Sequence, residues 1–302
     1  MSEIQYLIVL LTSLALSHLL QTWFIKLKKF DTINSRSVHR SKATKTGGIS
    51  IFITLFIFSC FFYLKGENIF NFSLLLPLGI MFITGVYDDF YNADFKLKFF
   101  LQIIVAKILI DQGLIIDNFY GVFGFNEISR LAGQLFTVFV FLIIVNAINF
   151  IDGIDGMAIT EFLKVILCVE ILSAQPTPFF YLGIICLLSV LPLYYYNFKR
   201  EYKVFLGDAG SLFLGTLIAV YIFYVLGPNY TIKGGLNINK ALLSVVLIIY
   251  PLLDLLRVFI IRLGKNKSPF SADQNHLHHL LLNRGFPHYA IVLCMLTISL
   301  LF

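Results

Sequence analysis

Charge is scarce in this chain. Only 13% of its 302 residues are Asp, Glu, Lys or Arg, against about 25% in an average soluble domain. With 58% hydrophobic residues and a mean hydropathy of +0.85, a string of soluble domains is excluded. Cysteine is also sparse. Cys60, Cys168, Cys186 and Cys294 each sit inside an apolar segment without ligand-like spacing. They read as small packing residues, not as a disulfide framework or zinc site. The sequence lacks a convincing repeat, a low-complexity tract and a soluble domain, and nucleic acid is not an expected partner. No Lys or Arg precedes the first apolar segment and no small-residue cleavage site follows it, so it reads as a retained helix.

Long apolar segments are what the chain has instead. A spanning helix needs about 20 largely apolar residues. Ten segments approach this: 4–25, 48–64, 72–87, 97–116, 131–150, 157–174, 178–197, 210–227, 240–261 and 287–302. Several are short and the last is marginal. The expected fold is all-α: one integral membrane domain over residues 1–302, with about ten transmembrane helices and catalytic loops on the cytoplasmic side.

Lys and Arg asymmetry sets the orientation. Connections 26–47, 88–96 with Lys98, 151–156, 198–209 and 262–286 hold 16 Lys and Arg residues, and the opposite set holds four. The first set is therefore expected in the cytoplasm. Every candidate motif falls in it.

Five aspartates mark that side. Asp88 and Asp89 end the third segment in GVYDDF, Asp152 and Asp155 lie in NFIDGIDG, and Asp208 lies in FLGDAGS. A carboxylate beside a bilayer core is costly, which makes each a functional candidate. Adjacent Asp88 and Asp89 repel unless a cation neutralises them. Asn146, Asn149 and Asp152 recur every three residues and share a helix face. Asp208 precedes the eighth segment, where helical N–H groups attract anions; its plainer reading is an N-cap.

Basic and aromatic groups accompany the acids. Lys96 and Lys98 follow the Asp pair, as anchors or as phosphate ligands. His276, His278, His279 and Arg284 cluster in HLHHLLLNRGF; without a Cys or HExxH partner they suit phosphate oxygens better than zinc. Residues 267–274, KSPFSADQ, read as a loop able to cover a pocket. The basic stretch His39, Arg40, Lys42 and Lys45 reads as membrane anchoring, with nucleotide or anionic lipid as its alternative. Gly47-Gly48 then permits close backbone approach. Asp254 and Arg257 read as a buried helix pair.

Taken together, the Gly-Gly entry, the Asp-Asp pair, NxxNxxDGxDG, FxGDxGSxxxG and the HxHH loop resemble the polyprenyl-phosphate N-acetylhexosamine-1-phosphate transferase family. They stand in the family's order across residues 37–286. The flanks of the His loop resemble the undecaprenyl-phosphate GlcNAc-1-phosphate branch, which includes relatives that prime teichoic acid or O-antigen, more than the phospho-MurNAc-pentapeptide branch. The usual proline-rich lead into Gly47 is replaced by Ala43-Thr44-Lys45-Thr46.

The resemblance implies a Mg²⁺-dependent enzyme, with Mn²⁺ as a substitute, in the bacterial inner membrane. It would move a sugar 1-phosphate from a UDP-sugar to undecaprenyl phosphate and release UMP. It implies Asp208 and Asp88 at the metal, Asp88 as the base or positioning group for the lipid phosphate, and Asp89 shaping the site. Asn149, Asp152 and Asp155 would line the donor pocket with Gly47 and Gly48, and Phe205 would stack on uracil. Lys98, His278, His279 and Arg284 would hold phosphates. Membrane lipid surrounds the whole, and the family includes homodimers. The competing class is a transporter or flippase for an anionic lipid or solute, which also uses intramembrane carboxylates.

Overall fold

The computed structural model describes residues 1–31, 42–199, 201–234, 236–266 and 276–301. His39, Arg40 and the 267–274 loop lie outside the described residues.

Twelve helices are described: α1 (Glu3–Lys26), α2 (Gly47–Leu64), α3 (Leu75–Tyr91), α4 (Phe95–Asp111), α5 (Arg130–Ile151), α6 (Met157–Leu172), α7 (Phe180–Asn197), α8 (Gly207–Leu226), α9 (Lys240–Leu247), α10 (Ile249–Gly264), α11 (Leu277–Asn283) and α12 (His288–Leu301). Each of the ten expected segments has a helical counterpart, but helix length and composition establish fewer than ten spans. Six helices, counting α3 with its leading 3-10 turn, are long and apolar enough to cross a membrane. Helices α4, α6 and α12 are shorter, at 17, 16 and 14 residues. The chain is a helical, multi-pass membrane protein.

The ninth expected segment is broken. Helices α9 and α10 meet at 71° across Ile248. Pro251 gives the reason. Its ring removes an N–H and clashes with the carbonyl four residues back, at Leu247, where α9 ends. Elsewhere polar residues close the ends. Asp94 accepts from Lys96 N at 3.1 Å and starts α4. Ser129 and Asn239 cap α5 and α9 in the same way.

One element departs from the all-α expectation. Strands β1 (Ala43–Thr44) and β2 (Lys203–Val204) pair in parallel, with Ala43 opposite Lys203. The ladder runs on into helix starts: Gly47 N donates to Phe205 O at 3.0 Å and Gly48 N to Leu206 O at 2.8 Å. This stitch joins the start of α2 to the start of α8.

Helix α8 is the axis of the bundle. It is hydrophobic all round, the pattern of a buried helix, and α2, α3, α5, α6 and α9 pack against it. Its first turn is met backbone to backbone. A Cβ on Gly48 would lie 2.1 Å from Gly210 N, and one on Gly85 2.2 Å from Asp208 O. Small residues allow such approaches between membrane helices. On the periphery, α1 leaves Leu7, Leu11, Leu14 and Leu19 exposed, as a lipid-facing surface requires. Within α6 the buried pair Glu161 and Lys164 meets at 2.5 Å, an ion pair absent from the motifs read in the sequence.

Candidate active site

The site forms where α2 and α8 begin and α3, α5 and α7 end. Neighbouring positions on a helix do not face one another, so Asp88 and Asp89 have different partners. Asp88 Oδ1 accepts from Ala93 N at 2.7 Å, and Oδ2 meets Lys98 Nζ at 2.5 Å. The Asp88 and Asp208 carboxyls lie within hydrogen-bonding reach of each other. Asp89 turns to α8 instead. Its two oxygens accept from Asp208 N and Ala209 N, both at 3.0 Å. Gly207, at φ 73°, starts that helix in a conformation suited to glycine. A Cβ there would also strike Asp89 Oδ2 at 2.7 Å.

From α5, Asn149 Nδ2 donates to Asp208 Oδ1 at 2.5 Å and Ser211 Oγ at 2.8 Å. Asp152 is the C-cap of α5. The chain then turns through Gly153 to Gly156, whose φ of 80° begins α6. Asp155 is buried against Lys203 and His288, whose Nδ1 lies 3.1 Å from Asp155 Oδ2. These elements surround an open cavity of about 330 Å³, lined by Asp31, Asp89, Asp152, Asp155 and Asp208 with Lys45, Asn149, Asn197, Phe205, His279 and His288.

Electrostatics follow from this crowding. Burial, then Asp208, Asp89 and Asp155, hold the Asp152 carboxyl well above the usual carboxylate range. Burial works against the charged form of Lys45, but Asp89, Asp31 and Asp208 outweigh it and raise its pKa. Lys45 Nζ lies 3.2 Å from Asp31 and 3.5 Å from Asp89.

Several expected residues take other places. Gly47 and Gly48 do not line the cavity; they are spent on the backbone contact between α2 and α8. His278 is wholly buried and outside the cavity lining, and burial pushes its imidazole down to about 3. His279 reaches the cavity. Arg284 is exposed at the C-cap of α11, away from the lining. Lys98 is engaged with Asp88.

Sequence reasoning missed Asp31, Asn197, Lys203 and His288, and read Lys45 first as an anchor, with nucleotide or anionic lipid as the alternative. Asn197 and Lys203 precede FLGDAGS by a few residues, which was a usable signal. Asp31 and His288 had none, since the fold alone brings them in. Asn197 Nδ2 donates to Val204 O at 2.9 Å, while its buried Oδ1 has no partner among the described residues.

Residues 71–226 match the model described as "Glycosyl transferase family 4". The chain is 30% identical, over 99% of its length and 82% of the relative's, to the "Probable undecaprenyl-phosphate N-acetylglucosaminyl 1-phosphate transferase" of Bacillus subtilis (strain 168). This chain belongs to glycosyl transferase family 4. Further relatives are the undecaprenyl-phosphate alpha-N-acetylglucosaminyl 1-phosphate transferase of Escherichia coli (strain K12), 31% identical over 90% of this chain and 74% of that protein, and the one of Yersinia pestis, 30% identical over 97% and 80%. The family-4 match spans all five motif aspartates and ends before the His loop.

The donor set of this family-4 site suits a hard divalent cation. Asp88, Asp152 and Asp208 offer carboxylate oxygens, the hard donors such a cation takes, and burial followed by Asp208, Asp89 and Asp155 raises the Asp152 pKa. Soft ligands are absent from the cavity lining among the described residues.

Proposed function

We propose that this chain transfers N-acetylglucosamine 1-phosphate, or a related N-acetylhexosamine 1-phosphate, from a UDP-sugar to undecaprenyl phosphate. The product would prime a cell-surface glycan of the O-antigen or teichoic acid kind. The observation that carries this reading is the convergence of Asp89, Asp152, Asp155 and Asp208 on one cavity, with Asp88 beside Asp208, at the end of an apolar bundle. The relatives' names supply the acceptor and the sugar.

In this reading a phosphate oxygen of the lipid attacks the β-phosphorus of the UDP-sugar. The bond from that phosphorus to the bridging oxygen breaks, and UMP leaves with the oxygen. Asp88 takes the proton of the lipid phosphate, and Lys98 keeps Asp88 in place. Asp208 and Asp88 would hold Mg²⁺, with Mn²⁺ as a substitute. When bound, the metal neutralises charge that would otherwise repel the two phosphates. Phe205 offers a stacking face for the base, and Asn197, whose buried Oδ1 has no partner among the described residues, stands with it in the cavity lining. His279 and Lys45 face the phosphates.

The cavity opens to the cytoplasm in this proposal, because the loops around it belong to the set with 16 of the Lys and Arg residues. The shorter helices and the bent pair complete ten membrane passes in the inner membrane, and the family's dimers suggest a homodimer. The test is direct. Purified protein is incubated with UDP-sugars, undecaprenyl phosphate and Mg²⁺, and UMP is measured. Release with UDP-GlcNAc is expected. Silence with every UDP-sugar would leave the transporter reading in its place.

A further inference from the structure

Asp254 lies on α10, is 3% exposed and is not part of the cavity lining. Both its oxygens are nonetheless committed to the histidine segment. Oδ1 accepts from Leu277 N at 2.7 Å, and Oδ2 lies 2.8 Å from His276 Nδ1. His278 Nδ1 stands 3.8 Å from the same Oδ2. One turn earlier on the same face of α10, the Tyr250 hydroxyl lies 3.4 Å from His278 Nδ1.

Helix α11 has only seven residues, and the His276 side chain does not cap it. A helix this short does not hold itself together in isolation. Its position therefore depends on what grips its first turn, and among the described residues Asp254 grips it twice. The grip reaches the cavity in one step. A Cβ on Gly153 would sit 3.5 Å from His278 Nε2 and 3.8 Å from His279 Nε2. Gly153 joins Asp152 to Asp155, so the start of α11 packs directly on the turn that carries two of the cavity acids.

We propose that Asp254 is a positioning residue: from α10 it fixes the first turn of α11, and so sets His279 and the Asp152–Asp155 turn against a UDP-sugar. The inference rests on the function proposed above. It assigns Asp254 no contact with substrate. The sequence had suggested a helix pair with Arg257; the hydrogen bonds to Leu277 and His276 give Asp254 a different task.

The test compares Asp254→Leu with Asp254→Asn. The amide of Asn still accepts from Leu277 N–H and donates to a neutral His276 Nδ1, whereas Leu does neither. Asp254→Leu is expected to raise KM for UDP-GlcNAc about tenfold while KM for undecaprenyl phosphate stays within about twofold, and Asp254→Asn is expected to remain near the parent. Combined with His279→Ala, Asp254→Leu should add little to the loss caused by His279→Ala alone, because coupled residues are non-additive. Equal loss in the Asn and Leu variants would overturn the proposal, as would a fully multiplicative double variant. So would a fall in kcat with both KM values unchanged, which is the signature of fewer folded molecules.

Hydrogen exchange over residues 276–283 reads the tether without turnover. Faster exchange in Asp254→Leu and parent-like exchange in Asp254→Asn are expected. If the parent releases no UMP with any donor, the functional reading falls, and exchange still decides whether Asp254 holds α11. Because Asp254, His276 and His278 bring ligand-capable atoms within 4.8 Å of one another, metal content is measured too. A stoichiometric transition metal lost in Asp254→Asn would overturn the hydrogen-bonded tether.

Discussion

The carboxylate of Asp89 accepts the backbone N–H of Asp208 at 3.0 Å and that of Ala209 at the same distance. One aspartate on α3 thereby caps the helix that presents another. Asp88, one residue away, leaves the capping to Asp89 and faces Lys98 and the Asp208 carboxyl. The Asp-Asp pair thus divides into a group that holds the site together and a group that faces its chemistry.

This division is testable by stability. Asp89→Ala removes the acceptor for two buried amides and should lower unfolding stability by about 1–3 kcal/mol. Asp88→Asn keeps shape and an acceptor for Ala93 N, and should leave the thermal midpoint nearly unchanged. Thermal unfolding in detergent measures both. Equal destabilisation by the two variants would dissolve the distinction.

Turnover should rank the acids differently. Asp88→Asn and Asp208→Asn are each expected to cut Mg²⁺-dependent UMP release by well over about tenfold, that is, by more than about 1.4 kcal/mol of transition-state stabilisation. Asn149 already occupies one Asp208 oxygen at 2.5 Å, so an amide at 208 also disturbs that contact. Near-normal release in either variant removes that residue from the reaction.

The sequence showed the helices and the five aspartates plainly, for physical reasons. A long apolar run in lipid must satisfy its own backbone and is read as helix, and a carboxylate at its end is rare enough to stand out. What it hid is what folding alone creates. Asp31 and His288 enter the cavity from opposite ends of the chain. The β1–β2 stitch is two residues long on each side, too short for any alternation. The Gly47-Gly48 pair was visible as a licence for close approach, but the sequence could not say whether a ligand or α8 would approach. Pro251 was present in the ninth segment, and its break could have been read from the proline rule alone.

Gly48 gives a sharp steric test. A methyl group there would sit 2.1 Å from Gly210 N and 2.4 Å from Gly210 Cα, both backbone atoms. Rotamer changes cannot relieve this, so α2 and α8 must separate. Gly48→Ala is expected to cost about 1–3 kcal/mol or more through overpacking, with lost expression or a lowered thermal midpoint. Gly79→Ala, whose methyl would meet only Phe52 at 3.6 Å, is the control and should behave like the parent. Parent-like stability of Gly48→Ala would show that the two helix starts are not locked.

Asp152 connects the site to pH. Burial, then Asp208, Asp89 and Asp155, raise its pKa well above the ordinary value. A raised carboxylate binds its proton more tightly in the folded state, so its contribution to stability is present at low pH. That contribution is lost as pH rises from about 3.9 toward the raised value. In the proposed reading, a divalent cation in the cavity would oppose this loss by neutralising the ionised acids, because a ligand that binds only the folded state raises its stability. The thermal shift produced by Mg²⁺ should therefore grow as pH rises, because protons and metal compete for the same oxygens. Asp152→Asn should flatten that pH dependence while leaving the protein folded. A Mg²⁺ shift that does not change across a pH series in the parent would separate Asp152 from the cation, and a pH dependence that persists in Asp152→Asn would place the competing proton on another group.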